Sequence, residues 1–233
     1  MRCAIVGLVI SWLVSGASAT AAAAPPEPSG PHPRMLLDRE LRAAWKGEAR
    51  REHSPIAQAI RVCREATDTN AHDGALYQGA GWAKALQACL VAWAATEKPE
   101  YARTAIRFFT ALLDDRDKIG DGAGGDTAVR RDDGYAIRNI GPYTALAYDW
   151  LHDHPAMTPE LAARARRRWA AWLDWYEEKG YRARNPGTNY QAGFLAAATL
   201  IAVAQGGEAG EDGARLWRFV ADELWGKDMA AAL

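Results

Sequence analysis

A chain of 233 residues that is 49% hydrophobic and 24% charged can bury a core in one domain, or form part of a larger one, and is too apolar to be disordered throughout. Its formal net charge of -1 gives no global electrostatic reason to expect nucleic acid or an anionic membrane as partner. Ten tryptophans and eight tyrosines offer aromatic faces, which fill cores and also stack on sugar rings.

Met1 and Arg2 precede an apolar run, Ala4 to Val14, and Ala17-Ser18-Ala19 then supplies the small residues that a signal peptidase needs. A secretory signal over residues 1–19 is expected, with Ala22-Ala23-Ala24 as a second cleavage point, and with it a secreted or periplasmic location. Residues 20–32, containing Pro25, Pro26, Pro28, Ser29, Gly30 and Pro31, read as an extended linker. No later stretch reads as apolar for long enough to cross a membrane, so no integral membrane segment is expected after signal removal. Cys3 leaves with the signal. Export permits a bond between Cys63 and Cys89, but both lie in helical apolar patterns, where a free buried thiol is the commoner state.

From Pro33 the chain reads as helix after helix: Arg39 to Arg50, Ser54 to Thr67, Leu76 to Thr96, Pro99 to Asp115, Gly134 to Asp153, Pro159 to Lys179, Tyr190 to Gln205 and Asp212 to Leu224. Ser54-Pro55, Thr158-Pro159-Glu160 and Lys98-Pro99-Glu100 are start signals. Connections are short apart from Lys118 to Asp133, where Gly120, Gly122, Gly124 and Gly125 mark a loop. Successive amphipathic helices with short connections imply antiparallel hairpins, stacked as a bundle, a superhelix or a closed ring. No fixed-period repeat is present.

The densest stretch runs from Arg130 to Trp150. Ile140, Tyr143, Ala147 and Leu151 share one helical face, while Arg130, Arg131, Asp132 and Asp133 crowd the approach to its N-terminus. Two arginines oppose the helix dipole there, so capping does not account for the whole cluster. Arg130, Arg131, Tyr135, Arg138 and Tyr143 therefore become candidates for binding an anionic ligand. In a second stretch, Arg184 to Gly193, the turn Asn185-Pro186-Gly187 leads to Thr188 or Asn189 as helix cap, with Tyr190 and Gln191 on the first turn. A carboxylate could rest at that positive helix end with Asn189 donating to it; the plainer role for Asn189 is an N-cap.

A third stretch, Tyr77 to Trp82, carries Gly79 and Gly81 within a helical pattern, which suggests a delayed helix start or close approach of a ligand. Gln78 and Trp82 are its candidate contacts, with core packing the alternative for Trp82. His72, His152 and His154 are scattered, and the latter two flank Asp153 where an imidazolium favours a helix C-terminus. No metal-ligand spacing, phosphate loop or nucleophile elbow emerges, so neither metal nor cofactor is expected.

Three segments carry a family resemblance: His32-Pro33-Arg34-Met35-Leu36-Leu37, Tyr143 through Leu151 (YTALAYDWL), and Asn189-Tyr190-Gln191-Ala192-Gly193. Together they resemble the N-terminal half of heparinase II/III-like and alginate-lyase-like polysaccharide lyases, over about residues 33–233. The resemblance implies an all-α, incomplete α/α toroid, followed in complete members by a β-sandwich. It also implies an anionic polysaccharide or oligosaccharide as partner and β-elimination as reaction, in which a tyrosine takes the C5 proton of a uronic acid. Amide and imidazole donors then stabilise the enolate-like charge. By that resemblance Asn189 is the carboxylate-neutralising amide and Tyr190 stands where the family has a histidine. The family's general-base tyrosine lies further downstream, so a truncated gene product is expected. Two other readings stand beside it: a toroidal glycoside hydrolase drawing on Asp132, Asp133 and Asp149, and a non-catalytic helical module that binds glycans or protein.

Overall fold

A computed structural model describes residues 25–66, 80–114, 136–180 and 188–229. Among them every regular element is helical, as the periodicity requires. The helices are α1 (Arg39–Glu48), α2 (Pro55–Glu65), α3 (Ala80–Thr96), α4 (Pro99–Leu113), α5 (Ile137–Trp150), α6 (Pro159–Lys179), α7 (Asn189–Gln205) and α8 (Glu211–Arg218). A 3-10 turn, Gly206–Ala209, joins α7 to α8, and a wider π-type winding continues α8 over Phe219–Met229. The signal peptide, the start expected at Leu76 and the glycine loop lie outside the described residues.

The start signals Ser54 and Thr158 act as read, accepting hydrogen bonds from the backbone N–H groups of Ala57 and Leu161. Asp38, which the sequence reading did not single out, does the same for Leu41, and each bond satisfies a donor of the first helical turn. Pro55, Pro99 and Pro159 sit in the first turn, where the missing N–H removes nothing. The α5 helix is narrower than the expected Gly134 to Asp153. It ends at Trp150 and passes into turns through His154.

The helices fall into two layers because they differ in how much of their circumference is apolar. Helices α3 and α7 are apolar nearly all round, with alanines recurring on every side, and such helices need cover on most faces. They form an inner row with α5, and among the described residues α5 with α7 is the most extensive helix pairing. Helices α2, α4 and α6 each hold one buried stripe against this row. The face expected for α5 is too small: Ile137, Gly141, Thr144, Ala145, Tyr148, Asp149 and Trp150 are buried with Ile140 and Ala147, whereas Tyr143 is only half-buried.

Two glycines set how α5 and α7 meet. A Cβ on Gly141 would lie 2.5 Å from the Cβ of Ala197, and one on Gly193 would lie 2.5 Å from the Cβ of Arg138. Residue 138 of α5 thus faces 193 of α7, and 141 faces 197, so the two helices run in the same direction with α6 returning between them. Their N-termini share one pole of the molecule and their C-termini the other.

Two expectations are corrected. Cys63 and Cys89 are disulfide-bonded, because α2 and α3 pack with these positions at 4.8 Å between Cα atoms, inside the range a disulfide spans. Residues 189–209 are also long and apolar enough to cross a membrane by length and composition. In this fold its helix, Asn189–Gln205, packs against α5, α6 and α8.

Gly141→Ala is expected to destabilise the fold by about 1–3 kcal/mol, since the added methyl meets Ala197 within the closest helix pair. Chemical denaturation of the variant measures this. An unchanged midpoint would contradict the parallel close packing of α5 and α7.

Candidate functional site

At the C-terminal pole a chain of polar groups converges on two carboxylates. Asp149, one residue before the end of α5, is fully buried. Its Oδ1 accepts from the backbone N–H of Arg34 at 2.8 Å and lies 2.6 Å from His32 Nδ1, and its Oδ2 accepts from the N–H of Met35 at 2.9 Å. The indole of Trp150 donates to the Met35 carbonyl at 2.9 Å. His32-Pro33-Arg34-Met35 therefore forms a strap across the end of α5. Leu36 adopts a left-handed φ of 60° and is exposed, while its neighbours Met35 and Leu37 are buried.

Glu208 in the 3-10 turn is the second carboxylate. Its Oε1 lies 2.6 Å from His32 Nε2 and accepts from the Arg34 guanidinium at 2.7 Å. Its Oε2 accepts from the Tyr148 hydroxyl at 3.0 Å and lies 3.1 Å from His152 Nε2. Arg166 of α6 donates to the Tyr148 oxygen at 2.7 Å, and Asp153 lies 2.8 Å from His152 Nδ1. The imidazoles of His32 and His152 stack with centroids 3.8 Å apart.

This arrangement shifts three protonation equilibria. Burial alone would lower the pKa of His32, but hydrogen bonds to Asp149 and Glu208 outweigh it and the pKa is raised. Burial would raise Glu208, yet hydrogen bonds from His32 and Tyr148 bring it below its ordinary value. The Tyr148 phenol is pushed up to about 12 by burial and by the neighbouring Glu208.

Sequence reasoning missed this cluster as a unit. His32, Arg34 and Asp149 lie in motifs legible only as architectural, and His152 is explicable as a charge near a helix end. The groups come from segments 56 to 176 residues apart, so no local spacing reveals them. Asp149 is removed as a glycosidase acid, because its carboxylate is enclosed and occupied by the strap. Asp132 and Asp133 lie outside the described residues.

The N-terminal pole holds the residues expected to bind substrate. Thr188 is the residue preceding α7, without a side-chain cap bond, and Asn189 is the first helical residue. The N-cap role for Asn189 is thereby corrected. Asn189 is exposed. Arg138, half-buried, packs beside Gly193, one turn further along the same helix. Tyr190 is half-buried, and its carbonyl accepts from the Tyr176 hydroxyl at 2.9 Å. Burial and the nearby Tyr190 phenol push the Tyr176 pKa upward, which disfavours Tyr176 as a base. Tyr143 does not join this group: it follows Arg138 by five residues, about 140° around α5, and packs at the edge of the core. Arg130, Arg131, Tyr135 and Gln78 lie outside the described residues, as does the side chain of Trp82.

A cleft of about 470 Å³ lies elsewhere, between α6 and α8, lined by Arg166, Arg167, Asp174, Glu177, Asp212 and Arg215 among others. It coincides with neither pole's candidate residues beyond Arg166. Comparison with known proteins adds no relative: no family model matches the chain, and no curated protein matches it.

The C-terminal cluster gives stability a pH optimum. The His32 contribution is present below pH 6.5 and is lost as pH rises through its elevated folded pKa. The Glu208 contribution is present above pH 4.5 and is lost as pH falls through its depressed folded pKa. Thermal melts in chelator-containing buffer should therefore show these contributions jointly at their fullest between pH 4.5 and 6.5. His32→Gln should flatten the decline on the alkaline side; an identical pH profile in that variant would contradict the assignment.

Proposed function

We propose that the protein handles uronic-acid-containing polysaccharide at the pole where α5 and α7 begin, as a lyase-like helical toroid portion acting by β-elimination. The observation that supports this best is the parallel packing of α5 and α7, which sets the backbone and Cβ of Arg138 against Gly193, one turn from the exposed Asn189 that begins α7. The helix dipole favours an anion there, and an amide and a guanidinium add directional donors. A uronate carboxylate matches that set.

β-Elimination needs this electrostatic help because charge leaving C5 accumulates on the carboxylate. In this reading Asn189 donates to the carboxylate more strongly in the transition state than in the ground state, and Arg138 balances its charge. Tyr190 is the candidate for the proton-transfer role. A toroid would extend the pattern in which α5 and α7 run parallel and α6 returns between them in sequence. The family resemblance of the HPRMLL, YTALAYDWL and NYQAG segments points the same way. Export to the periplasm or beyond, read from the leader, would bring the protein to extracellular polymers.

A second reading, binding without turnover, is favoured by the state of Tyr176. That phenol is buried, donates to the Tyr190 carbonyl and has a raised pKa, so it is unsuited to proton abstraction. Incubation with alginate, heparan and chondroitin separates the readings. A lyase produces unsaturated ends that absorb in the ultraviolet, whereas a binder produces none and retains the polymer.

In a complete version of the enzyme, Asn189→Asp should lower turnover roughly a hundredfold or more, the scale for losing one oxyanion donor, while the melting temperature changes little. Asp at a helix start suits the dipole, so folding is preserved. Full activity in the Asp variant would remove Asn189 from the site.

A further inference from the structure

We propose that His32, His152 and Glu208 form a binding site for one zinc-class divalent ion, which fastens the N-terminal strap to the end of α5 and to the turn after α7. Two imidazoles and a carboxylate are a donor set that divalent zinc favours. One ligand atom from each lies within 4.8 Å of those of the others.

The surrounding carboxylates strengthen the assignment. A metal-bound histidine usually gives its second ring N–H to a carboxylate, which fixes the tautomer and aims the remaining lone pair at the ion. Both histidines have this partner: Asp149 lies 2.6 Å from His32 Nδ1, and Asp153 lies 2.8 Å from His152 Nδ1. Both Nε2 atoms consequently face the Glu208 carboxylate, at 2.6 and 3.1 Å.

Charge also suits a dication. With neutral imidazoles, Asp149, Asp153 and Glu208 stand against the guanidinium of Arg34, while Arg166 acts one step further out through Tyr148. Arg34 holds Oε1 of Glu208, whereas Oε2, the oxygen beside His152, accepts one bond from the Tyr148 hydroxyl and keeps a second lone pair as the carboxylate donor to the ion. The side chains of His152 and Glu208 are 30% and 28% exposed, so an ion can reach them from solvent, whereas His32 is 4% exposed.

Coordination requires one adjustment. Ligands at about 2.1 Å from a tetrahedral ion stand about 3.4 Å apart, and their rings fan outward from it. The stacked rings, inclined by only 12°, are closer to parallel than that. His152, in the turn after α5 and the more exposed of the two, is the ring free to tilt.

The test uses the untagged full chain, stripped with chelator and titrated with zinc chloride against a chromophoric competing chelator near neutral pH. One ion should bind per chain, and zinc should raise the melting temperature. His152→Ala should weaken binding at least about tenfold and abolish the thermal shift, and Asp153→Asn should weaken it by about tenfold through the loss of the orienting carboxylate. Asp153 is exposed, so its variant keeps the fold and remains informative if His152→Ala does not fold. Absence of stoichiometric binding, or equal affinity in the wild type and Asp153→Asn, would overturn the site.

Discussion

The arrangement rests on one buried carboxylate. Asp149 is fully enclosed at the end of α5, and an ionised group removed from water costs several kcal/mol unless its oxygens are satisfied. No helix supplies those donors, because a helix C-terminus presents carbonyls. They come from a segment more than a hundred residues earlier, through the N–H groups of Arg34 and Met35 and the ring of His32. The strap is thus held by the same interaction that makes the buried charge tolerable.

From this contact the rest of the C-terminal pole follows. The strap brings Arg34 within reach of the Ala204 carbonyl near the end of α7, where its Nη1 donates at 3.0 Å, and of Glu208 beyond it. Guanidinium and imidazole groups at the ends of α5 and α7 also complement the partial negative charge of helix C-termini. Because α5 and α7 are parallel, cations gather at this pole, while at the opposite pole the exposed Asn189 begins α7 and the first turn of α5 is largely buried, with Ile137 and Ile140 enclosed. The fastening of this end follows from helix direction and the close approach at Gly141 and Gly193.

Much of the helical layout was legible in the sequence. Proline and hydroxyl start signals place α2 and α6, whereas α3 and α7, read only as helices among other amphipathic ones, prove to be apolar nearly all round. The relation between His32 and Asp149 was not, since both belong to motifs whose chemistry appears only when they touch. Glu208 carries no local signal at all: it sits in a glycine-rich turn, and its role arises from the convergence of three separate segments. Asn189 was legible as a residue at a helix start, but whether it caps or follows the cap depends on backbone geometry one residue away. The disulfide escaped because helical periodicity says which face a cysteine occupies and not which helix lies opposite.

Native-state hydrogen exchange of the Arg34 and Met35 amides tests the central role of Asp149 most directly. If the buried carboxylate holds the strap, these two amides exchange only with unfolding of the core, with protection close to that of the α5 and α7 interior amides. Exchange at the rate of exposed loop amides, while α5 and α7 stay protected, would show that the strap opens independently and that Asp149 does not organise the fold.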